Sequence, residues 1–471
     1  MKPHHLLPAV LGLLTPVLTQ AVPVQPNIIL LLSDDQDWTG LSTPMHPDIP
    51  NSKSDFHRTP NLEKLAGQGM RFSAAYAPAP VCSPTRISLQ TGKSPAQLRW
   101  TTAAPPAPGH RLIEAESRKN IRTDEVTVAE LLREAGYATA HFGKWHLGGG
   151  GPDAHGYDES DGDTGNEDAN RFMDPNPVDI FGMGERAAAF MTKNTQAAKP
   201  FYVQMSYHAL HRPENALNST REFYEKQTPG RMHRDVGRAA ITTDLDTGVG
   251  RLLDAVRRLG IEERTYVIYM SDNGGGGGGP RPLTGGKGGV REGGIRVPLI
   301  IRGPGVKPGS WCHQRVVGYD FFPTFCRWAG VKTSLPPGIE GGDIAPLLNG
   351  STAPVKRPRD ELVFHFPHYQ GDTPHSAILS GRYKLLHFYE TGANLLFDLD
   401  TDLGERNDLT KREPEVARQL SRRLQSYLTE AGASLPRPNP DYDPDKEPPL
   451  TRGGDKKGGP GKKGRRPVET N

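Results

Sequence analysis

Acidic side chains follow two apolar runs at distant points in the chain. Asp34 and Asp35 come directly after the run 27–33, and Asp272 and Asn273 come shortly after another apolar run. Adjacent carboxylates repel each other, so they need a cation or a shared proton. Ca²⁺ accepts several carboxylate and amide oxygens in a flexible shell. The pattern predicts that two strand ends present these four side chains to one ion, whereas the first pair alone could be an exposed strand end.

Lysine and histidine side chains occupy three further loops. Lys144 and His146 stand two residues apart in Gly-Lys-Trp-His-Leu-Gly, so an extended segment would direct both to the same side. His208 and His211 lie in Tyr-His-Ala-Leu-His-Arg-Pro, after an apolar run. Lys287 lies in a glycine-rich stretch whose backbone could approach a bound anion closely. For Lys144 and His146, the plain alternative is a surface loop with an incidental lysine and histidine.

Cys82 opens the run Cys-Ser-Pro-Thr-Arg, which ends at Arg86 and leads into a predicted short helix closed by Thr-Gly-Lys. A small buried cysteine beside a proline turn is the plain interpretation. The run resembles the signature of the type I sulfatases, members of the alkaline-phosphatase-like superfamily. In that family a maturation enzyme oxidises the cysteine to Cα-formylglycine, an aldehyde. The resemblance therefore implies that Cys82 is the precursor of a nucleophile that no ordinary side chain supplies.

The other loops match the same family in the same chain order. The family has a Gly-Lys-Trp-His-Leu-Gly motif, and it places a catalytic histidine two residues before a proline, which selects His211 over His208. Its Gly-Lys…Glu-Gly-Gly-x-Arg-x-Pro stretch carries a substrate-binding lysine, here Lys287. The resemblance covers about residues 26–432 and implies one Ca²⁺ ion, with Mg²⁺ as the less favoured metal. The implied ligands are Asp34, Asp35, Asp272, Asn273 and an oxygen of the residue made from Cys82.

The resemblance also implies the reaction, which is hydrolysis of a sulfate monoester through a covalent sulfated enzyme. The formylglycine hydrates to a geminal diol, and one hydroxyl attacks sulfur in line. His211, with Lys287 nearby, protonates the leaving oxygen, and the second hydroxyl then loses its proton to His146 as sulfate departs. Cationic groups must stabilise the sulfate oxygens. The side chains implied for that task are Arg86, Lys144 and Lys287.

Two other functions fit part of the pattern. A phosphoester or phosphonate hydrolase of the same superfamily would use a related metal site. A glycan-binding protein without catalytic activity would keep Cys82 as an unmodified thiol. For the sulfatase, a polar rim formed by 148–170 and by His365, His368 and His375 favours a sulfated carbohydrate as substrate.

Apolar runs alternate with helical patterns over the first 350 residues. This alternation predicts an α/β fold, alkaline-phosphatase-like by resemblance, with a large, mixed, mostly parallel sheet flanked by helices. Ligands bind at the carboxyl ends of the strands in such sheets. The predicted strands are 27–33, 137–142, 201–205, 265–270 and 298–302, and the predicted helices are 61–69, 126–135 and 237–259. Short apolar segments at 362–366, 377–379, 383–388 and 395–398, followed by a helix at 414–431, predict a smaller antiparallel sheet with a packing helix.

The chain divides into four predicted parts. Residues 1–21 combine a basic start, an apolar stretch and small residues, which is typical of a cleaved signal peptide and predicts export. The catalytic domain is expected at 22–350 and an α+β subdomain at 351–433. Residues 434–471 are rich in proline, glycine and lysine, so we expect a disordered basic tail.

Composition limits the expected partners. A net charge of +3 on 471 residues is too small to indicate nucleic acid, and the N-terminal apolar stretch is too short for stable membrane insertion. The partners expected are the sulfated substrate and the formylglycine-generating maturation enzyme. Cys312 and Cys326 could form a disulfide or stay free. Six glycines at 274–279 predict a mobile loop near the site, and no Gly-Lys-Ser/Thr follows them at the spacing of a P-loop.

Overall fold

The computed structural model describes residues 25–275 and 282–450. The strands in these ranges are β1 (Asn27–Ser33), β2 (Met70–Phe72), β3 (Ala75–Tyr76), β4 (Leu112–Ile113), β5 (Ala138–Gly143), β6 (Glu159–Ser160), β7 (Phe201–Ser206), β8 (Thr265–Ser271), β9 (Leu299–Arg302), β10 (Ser310–Cys312), β11 (Val316–Val317), β12 (Leu362–Phe366), β13 (His375–Ser380), β14 (Tyr383–Phe388), β15 (Asn394–Asp398) and β16 (Arg437–Pro438). The α-helices are α1 (Pro60–Gln68), α2 (Cys82–Thr91), α3 (Pro95–Leu98), α4 (Val128–Glu134), α5 (Ile180–Gln196), α6 (Asn218–Glu225), α7 (Val236–Arg258), α8 (Glu292–Ile295), α9 (Phe321–Ala329), α10 (Ala345–Leu348) and α11 (Pro414–Glu430).

The main sheet has the strand order β10-β2-β9-β8-β1-β7-β5-β6. Neighbouring strands run parallel, except that β9 is antiparallel to both β2 and β8. In the centre, β1 pairs with β7 on one side and with β8 on the other, and Ser33 lies level with Ser271. The carboxyl ends of β8, β1, β7 and β5 therefore meet at one edge of the sheet.

The apolar run of β1 is buried because helices cover both faces of the sheet. Ile29 and Leu31 point into a core with α1, α5 and α7, whereas Ile28 and Leu30 point into a second core with α2, α4 and α9. Strand side chains alternate between faces, so a strand between two helical layers is apolar at consecutive positions. The sheet is thus the rigid layer from which the loops of the site extend.

A second, four-stranded antiparallel sheet follows in the order β12-β13-β14-β15. On one face, Ile378 and Leu385 pack with Leu424 of α11. On the other face, Phe364 and Leu386 pack with residues of the main domain. The predicted α/β fold with a smaller antiparallel sheet and a packing helix is confirmed.

Element boundaries differ slightly from those predicted. The helix predicted from 126 begins at Val128, because the side chain of Thr127 accepts from the Glu130 backbone N–H and forms a capping box. The strand predicted at 377–379 extends over His375–Ser380, where each residue pairs with β14.

Residues 434–450 differ from the disordered tail that the sequence predicts. Arg437 and Pro438 pair with β4, and the side chain of Asn439 donates to the His110 carbonyl at 2.8 Å. The composition suggested disorder because it offers little apolar surface, but this segment is held by backbone and side-chain hydrogen bonds instead. The remainder of the predicted tail, 451–471, lies outside the described residues.

The predicted signal peptide and residues 276–279 of the glycine run also lie outside the described residues. Cys312 and Cys326 are both buried free thiols, and so is Cys82. Within 25–275 and 282–450, we find no helix with the length and apolar character that a membrane crossing requires.

Candidate active site

Two adjacent strand ends bring the acidic side chains together. Asp34 and Asp35 follow β1, and Asp272 and Asn273 follow β8, its parallel neighbour. The Asp35 backbone N–H donates to Oδ1 of Asp272 at 3.2 Å, and Nδ2 of Asn273 donates to Oδ1 of Asp35 at 2.7 Å. All four residues are buried. Side chains far apart in the chain are thus neighbours because the strands before them are paired in register.

Helix α2 brings Cys82 to the same place. Cys82 is its first residue and Arg86 lies one turn later, so both project from one face of the helix. Every residue of α2 is buried. The helix ends at Gly92, whose φ of 68° is left-handed and whose Cβ, if present, would lie 2.9 Å from the Phe322 side chain. The core therefore fixes α2 with its N-terminus at the strand ends.

Arg86 links the acidic side chains to one another. Its Nη2 donates to Oδ2 of Asp272 at 2.7 Å and to Oδ2 of Asp34 at 3.3 Å, while its Nη1 donates to the Lys144 carbonyl at 2.6 Å. Cys82 Sγ lies 3.5 Å from Oδ1 of Asp34. The ligand atoms of Asp34, Asp35, Cys82 and Asp272 all lie within 4.8 Å of one another.

Lys144 and His146 enter from the loop after β5. The Nζ of Lys144 donates to Oδ2 of Asp34. The His146 backbone is held on both sides, because its N–H donates to the Thr164 carbonyl at 2.7 Å and its carbonyl accepts from Ser83 Oγ at 2.9 Å. Its buried Nδ1 has no hydrogen-bond partner among the described residues.

Lys287 reaches the cluster from the glycine-rich stretch. Its Nζ lies 2.7 Å from Oδ1 and 2.8 Å from Oδ2 of Asp35. The C-terminal subdomain fixes this stretch, because the Val290 N–H donates to Nε2 of His375 at 2.9 Å. Lys287 and Lys144 therefore pair with different carboxylates of the cluster.

The loop after β7 supplies two histidines. His211 is partly exposed, and its backbone N–H donates to the His208 carbonyl at 2.9 Å, whereas His208 is only 6% exposed. Burial lowers the pKa of both rings, and the charges of Asp34 and Lys144 act on both. The structure thus brings both histidines to the site and leaves His211 the more accessible to a substrate.

The three histidines that the sequence places on the rim are buried instead. Nε2 of His365 lies 2.9 Å from the Ser434 carbonyl, and Nε2 of His368 lies 2.7 Å from Oγ1 of Thr101. His375 accepts from the backbone of the Lys287 stretch, as described above. This part of the predicted rim is wrong, because composition alone cannot separate an exposed histidine from a buried one that is held by a hydrogen bond at a ring nitrogen. The other part, 148–170, does carry many exposed polar residues.

Burial and charge set the protonation of the site. Burial alone would raise the pKa of Asp34, but Lys144 and the other nearby cations hold it well below its usual value. Burial and the charge of Asp34 raise the pKa of Asp272 to about 6. Burial, Lys144 and Arg86 lower the pKa of His146 to about 2, so that its imidazole is neutral near pH 7.

The thiol of Cys82 is held in its protonated form. Burial raises its pKa, and the adjacent charge of Asp34 raises it further. Burial would lower the pKa of Lys287, but Asp35 outweighs that effect and raises it. The site therefore contains a neutral thiol near the charged ammonium group of Lys287.

The donor set fits a hard divalent cation. Oδ1 of Asn273 is buried without a hydrogen-bond partner among the described residues, and an unpaired buried oxygen is costly unless another group binds it. Asp34, Asp35 and Asp272 add carboxylate oxygens beside it. Oxygen donors of this kind suit Ca²⁺ or Mg²⁺ rather than a metal that prefers sulfur or nitrogen.

The sequence reasoning missed Arg238, in the first turn of α7. Its guanidinium donates to the backbone carbonyls of Asp35 and Leu210. No motif signals this role, because the acceptors are backbone atoms and the arginine lies on an otherwise ordinary amphipathic helix.

Comparison with known proteins agrees with this geometry. Residues 26–331 match the Sulfatase family model, and residues 287–431 match the model for the C-terminal part of N-sulphoglucosamine sulphohydrolase. The two matches together span the main sheet, all of its site loops and the smaller antiparallel sheet.

Individual proteins show the same relationship. Arylsulfatase A of Bos taurus is 30% identical over 463 residues, covering 83% of this chain and 85% of that protein. N-acetylgalactosamine-6-sulfatase of Sus scrofa is 32% identical over 411 residues, covering 78% and 72%. The crystal structure of Ps i-CgsB in complex with k-i-k-neocarrahexaose has the same fold, with a TM-score of 0.70 at 24% identity over 86% of this chain and 93% of that one. The chain therefore belongs to the sulfatase family and is a sulfuric ester hydrolase.

Proposed function

We propose that the protein hydrolyses sulfate monoesters with a Cα-formylglycine made from Cys82 and with one bound divalent cation, Ca²⁺ rather than Mg²⁺. The observation that carries the proposal is the convergence of Asp34, Asp35 and Asp272 on the buried N-terminus of the helix that begins at Cys82. Asn273 completes the ligand set with its unpaired amide oxygen. Several carboxylates and an amide in one site favour Ca²⁺, which tolerates a larger and less regular shell than Mg²⁺.

The protonated state of the Cys82 thiol supports the proposal that this residue acts as formylglycine and not as a cysteine. A cysteine attacks as a thiolate, and a reactive cysteine normally lies in surroundings that lower its pKa. Here burial and Asp34 act in the opposite direction. A thiol in this place is a poor nucleophile, whereas a formylglycine supplies, when hydrated, a hydroxyl group that can attack sulfur and a second one that can release it.

The cationic side chains bind and orient the sulfate group. The ammonium groups of Lys144 and Lys287 lie on different carboxylates of the cluster and can each donate to a sulfate oxygen. Arg86 keeps α2 aligned with the strand ends through Asp34 and Asp272. The bound cation would add Lewis-acid polarisation of sulfate and of the group at position 82.

The histidines move the protons. His211 is the accessible ring of its loop and protonates the leaving oxygen, with Lys287 nearby. His146 is neutral because burial and the adjacent cations lower its pKa to about 2, and its Nδ1 has no partner among the described residues. Its unpaired Nδ1 is the atom that takes the proton of the second hydroxyl at position 82 as sulfate leaves.

The substrate that we propose is a sulfated carbohydrate. One relative is named N-acetylgalactosamine-6-sulfatase, and one structure of the same fold holds a neocarrahexaose. The polar loop around Thr164, which contacts the backbone of His146, offers hydrogen-bonding groups of the kind that sugars need. We further propose that residues 1–21 direct export and that a maturation enzyme acts on Cys82.

The test is a comparison of matched esters with protein matured in a host that has the formylglycine-generating enzyme. We expect release of sulfate from 4-nitrophenyl sulfate and from at least one sulfated sugar in a panel that includes N-acetylgalactosamine 6-sulfate. Faster hydrolysis of 4-nitrophenyl phosphate than of the sulfate would instead support the phosphoester alternative. An inactive protein that binds the sulfated sugars with an intact thiol at position 82 would support the glycan-binding alternative.

A further inference from the structure

The first turn of α7 contacts two loops of the active site through Arg238, a residue that has no role in the reaction proposed above. Nη2 of Arg238 donates to the Asp35 carbonyl, and Nη1 donates to the Leu210 carbonyl. Asp35 is a proposed metal ligand, and Leu210 directly precedes His211. One guanidinium therefore connects the loop of Asp35, a proposed metal ligand, with the loop of His211, the proposed acid.

The same two loops are also joined by their backbones. The Asp34 N–H donates to the Ala209 carbonyl at 2.8 Å, and the Leu210 N–H donates to the Asp34 carbonyl at 2.7 Å. These bonds leave the carbonyls of Asp35 and Leu210 for Arg238. The four hydrogen bonds make the two loops one unit, so a shift of either loop would displace both functional side chains.

Arg238 is itself fixed in place. Its backbone N–H donates to Oδ1 of Asp235, the N-cap of α7, at 3.0 Å. Its Nη1 lies 3.5 Å from Oε1 of Glu214, and its side chain is 16% exposed. The guanidinium is therefore positioned from a stable helix start rather than from a loose surface side chain.

The conformation of Asp35 explains why its carbonyl needs a partner. Asp35 has a φ of 58°, in the left-handed region, which costs energy for a residue with a side chain and persists only where neighbouring groups hold it. Asn273 and Lys287 hold the carboxylate. Arg238 holds the backbone, and no other described side chain is seen donating to that carbonyl.

We propose that Arg238 is a positioning residue that fixes Asp35 for metal binding and, through Leu210, fixes His211 for proton transfer. This inference rests on the proposed roles of Asp35 and His211. A guanidinium suits the task because its fork donates in two fixed directions, whereas a lysine ammonium is a single flexible donor site. Arg238→Lys should therefore lose part of the function although it keeps the charge.

The experiment compares Arg238→Lys and Arg238→Met with a control on the same helix, Arg258→Met, which changes an exposed residue of the last turn. Calcium chloride is titrated calorimetrically into metal-free, formylglycine-containing protein. We expect wild type and Arg258→Met to bind with the same affinity and both Arg238 variants to bind about tenfold more weakly or worse, the scale seen when a group that supports a metal ligand is lost. At saturating calcium, kcat on a sulfated sugar should fall while KM changes less.

Folding of each variant is checked by circular dichroism. If Arg238→Met does not fold, the comparison with wild type uses Arg238→Lys alone. Folded Arg238→Lys with wild-type calcium affinity and wild-type kcat would overturn this inference alone. So would a variant that melts earlier but keeps the wild-type calcium affinity and the wild-type kcat, because that result indicates a purely structural role. Absence of calcium binding by wild-type protein would overturn the proposed metal site as well, so the two failures are distinguishable.

Discussion

Cys82 Sγ lies 3.5 Å from Oδ1 of Asp34, where the N-terminus of α2 meets the end of β1. The other oxygen of the same carboxylate accepts from Lys144 and from Arg86. Position 82 is therefore in contact with the acidic cluster and within the field of the cations that surround it. A reactive group at this position would face both the proposed metal and the groups that bind sulfate.

The first prediction concerns the second hydroxyl of the hydrated aldehyde. We expect Cys82→Ser to react once with substrate and then stall as a stable sulfate ester, because a serine has one hydroxyl and cannot expel sulfate by regenerating a carbonyl. Intact-protein mass spectrometry after incubation with 4-nitrophenyl sulfate should show one added sulfo group. Cys82→Ala should show none, and multiple turnovers by Cys82→Ser at the wild-type rate would contradict the mechanism.

The second prediction identifies the leaving-group acid. We expect His211→Ala to lower kcat on a sugar sulfate by about 10²–10⁴-fold, the usual range for a lost general acid. The loss on 4-nitrophenyl sulfate should be much smaller, because nitrophenolate leaves without protonation. Steady-state kinetics on both substrates are compared for His211→Ala and His208→Ala. If only His208→Ala loses more activity on the sugar sulfate than on 4-nitrophenyl sulfate, then His208 and not His211 is the acid.

The sequence predicted the architecture well where a pattern is local. The buried run of β1 and the acidic residues after it were visible because a strand covered on both faces is apolar at consecutive positions. Asp272 lies beside Asp35 only because β1 and β8 pair in parallel and Ser33 lies level with Ser271. The repeated strand-end pattern made this pairing predictable.

Other features depend on contacts that no local pattern encodes. The role of Arg238 was missed because its acceptors are backbone carbonyls in distant loops. His365 and His368 were expected on the rim, but tertiary packing buries both and satisfies a ring nitrogen of each. Asn439 holds part of a segment that composition assigned to disorder.

The third prediction is a stabilising effect of the metal. Removal of divalent ions with EDTA should abolish activity and lower the melting temperature, because Asn273 then keeps an unpaired oxygen and ligand binding no longer favours the folded state. Calcium at about 100 times its dissociation constant should add about 2.7 kcal/mol to the free energy of unfolding. Asn273→Leu should lose most of this gain, and an equal gain in that variant would argue against the ligand set.

The fourth prediction concerns a buried ion cluster between the two sheets. Nζ of Lys384 lies 2.9 Å from carboxylate oxygens of Glu292 and of Glu405, and all three side chains are fully buried. Lys384→Met should lower the free energy of unfolding by about 3–5 kcal/mol, because it leaves two adjacent carboxylates without this cation.

Urea denaturation measures that loss, and the control is Lys193→Met. Lys193 pairs with Glu159 but is 71% exposed, so its loss should leave the free energy of unfolding almost unchanged. Similar values for the two variants would show that burial of the Lys384 cluster has no energetic consequence.

The fifth prediction is acid destabilisation by buried histidines. Burial lowers the pKa of His57 to about 3 and that of His365 to about 4, whereas both rings have a pKa near 6.5 when unfolded. The unfolded chain therefore binds more protons between these values. The contribution of each ring to stability is fully present above about pH 6.5 and is lost as the pH falls toward the folded pKa.

The free energy of unfolding, measured in urea at pH 7 and pH 5, should thus fall on acidification. Each histidine can contribute up to about 1.4 kcal/mol per pH unit in that interval. His57→Gln and His365→Gln should each make the dependence shallower, since glutamine does not titrate. The same slope in both variants as in wild type would assign the acid sensitivity to other groups.

The most direct test of the account is the mass of the peptide that contains position 82, taken from protein matured with the formylglycine-generating enzyme. We expect an aldehyde in place of the thiol, in a fraction of molecules that rises in proportion to the rate of sulfate release. Full hydrolysis of sulfate esters by protein in which every such peptide retains an intact cysteine would contradict it.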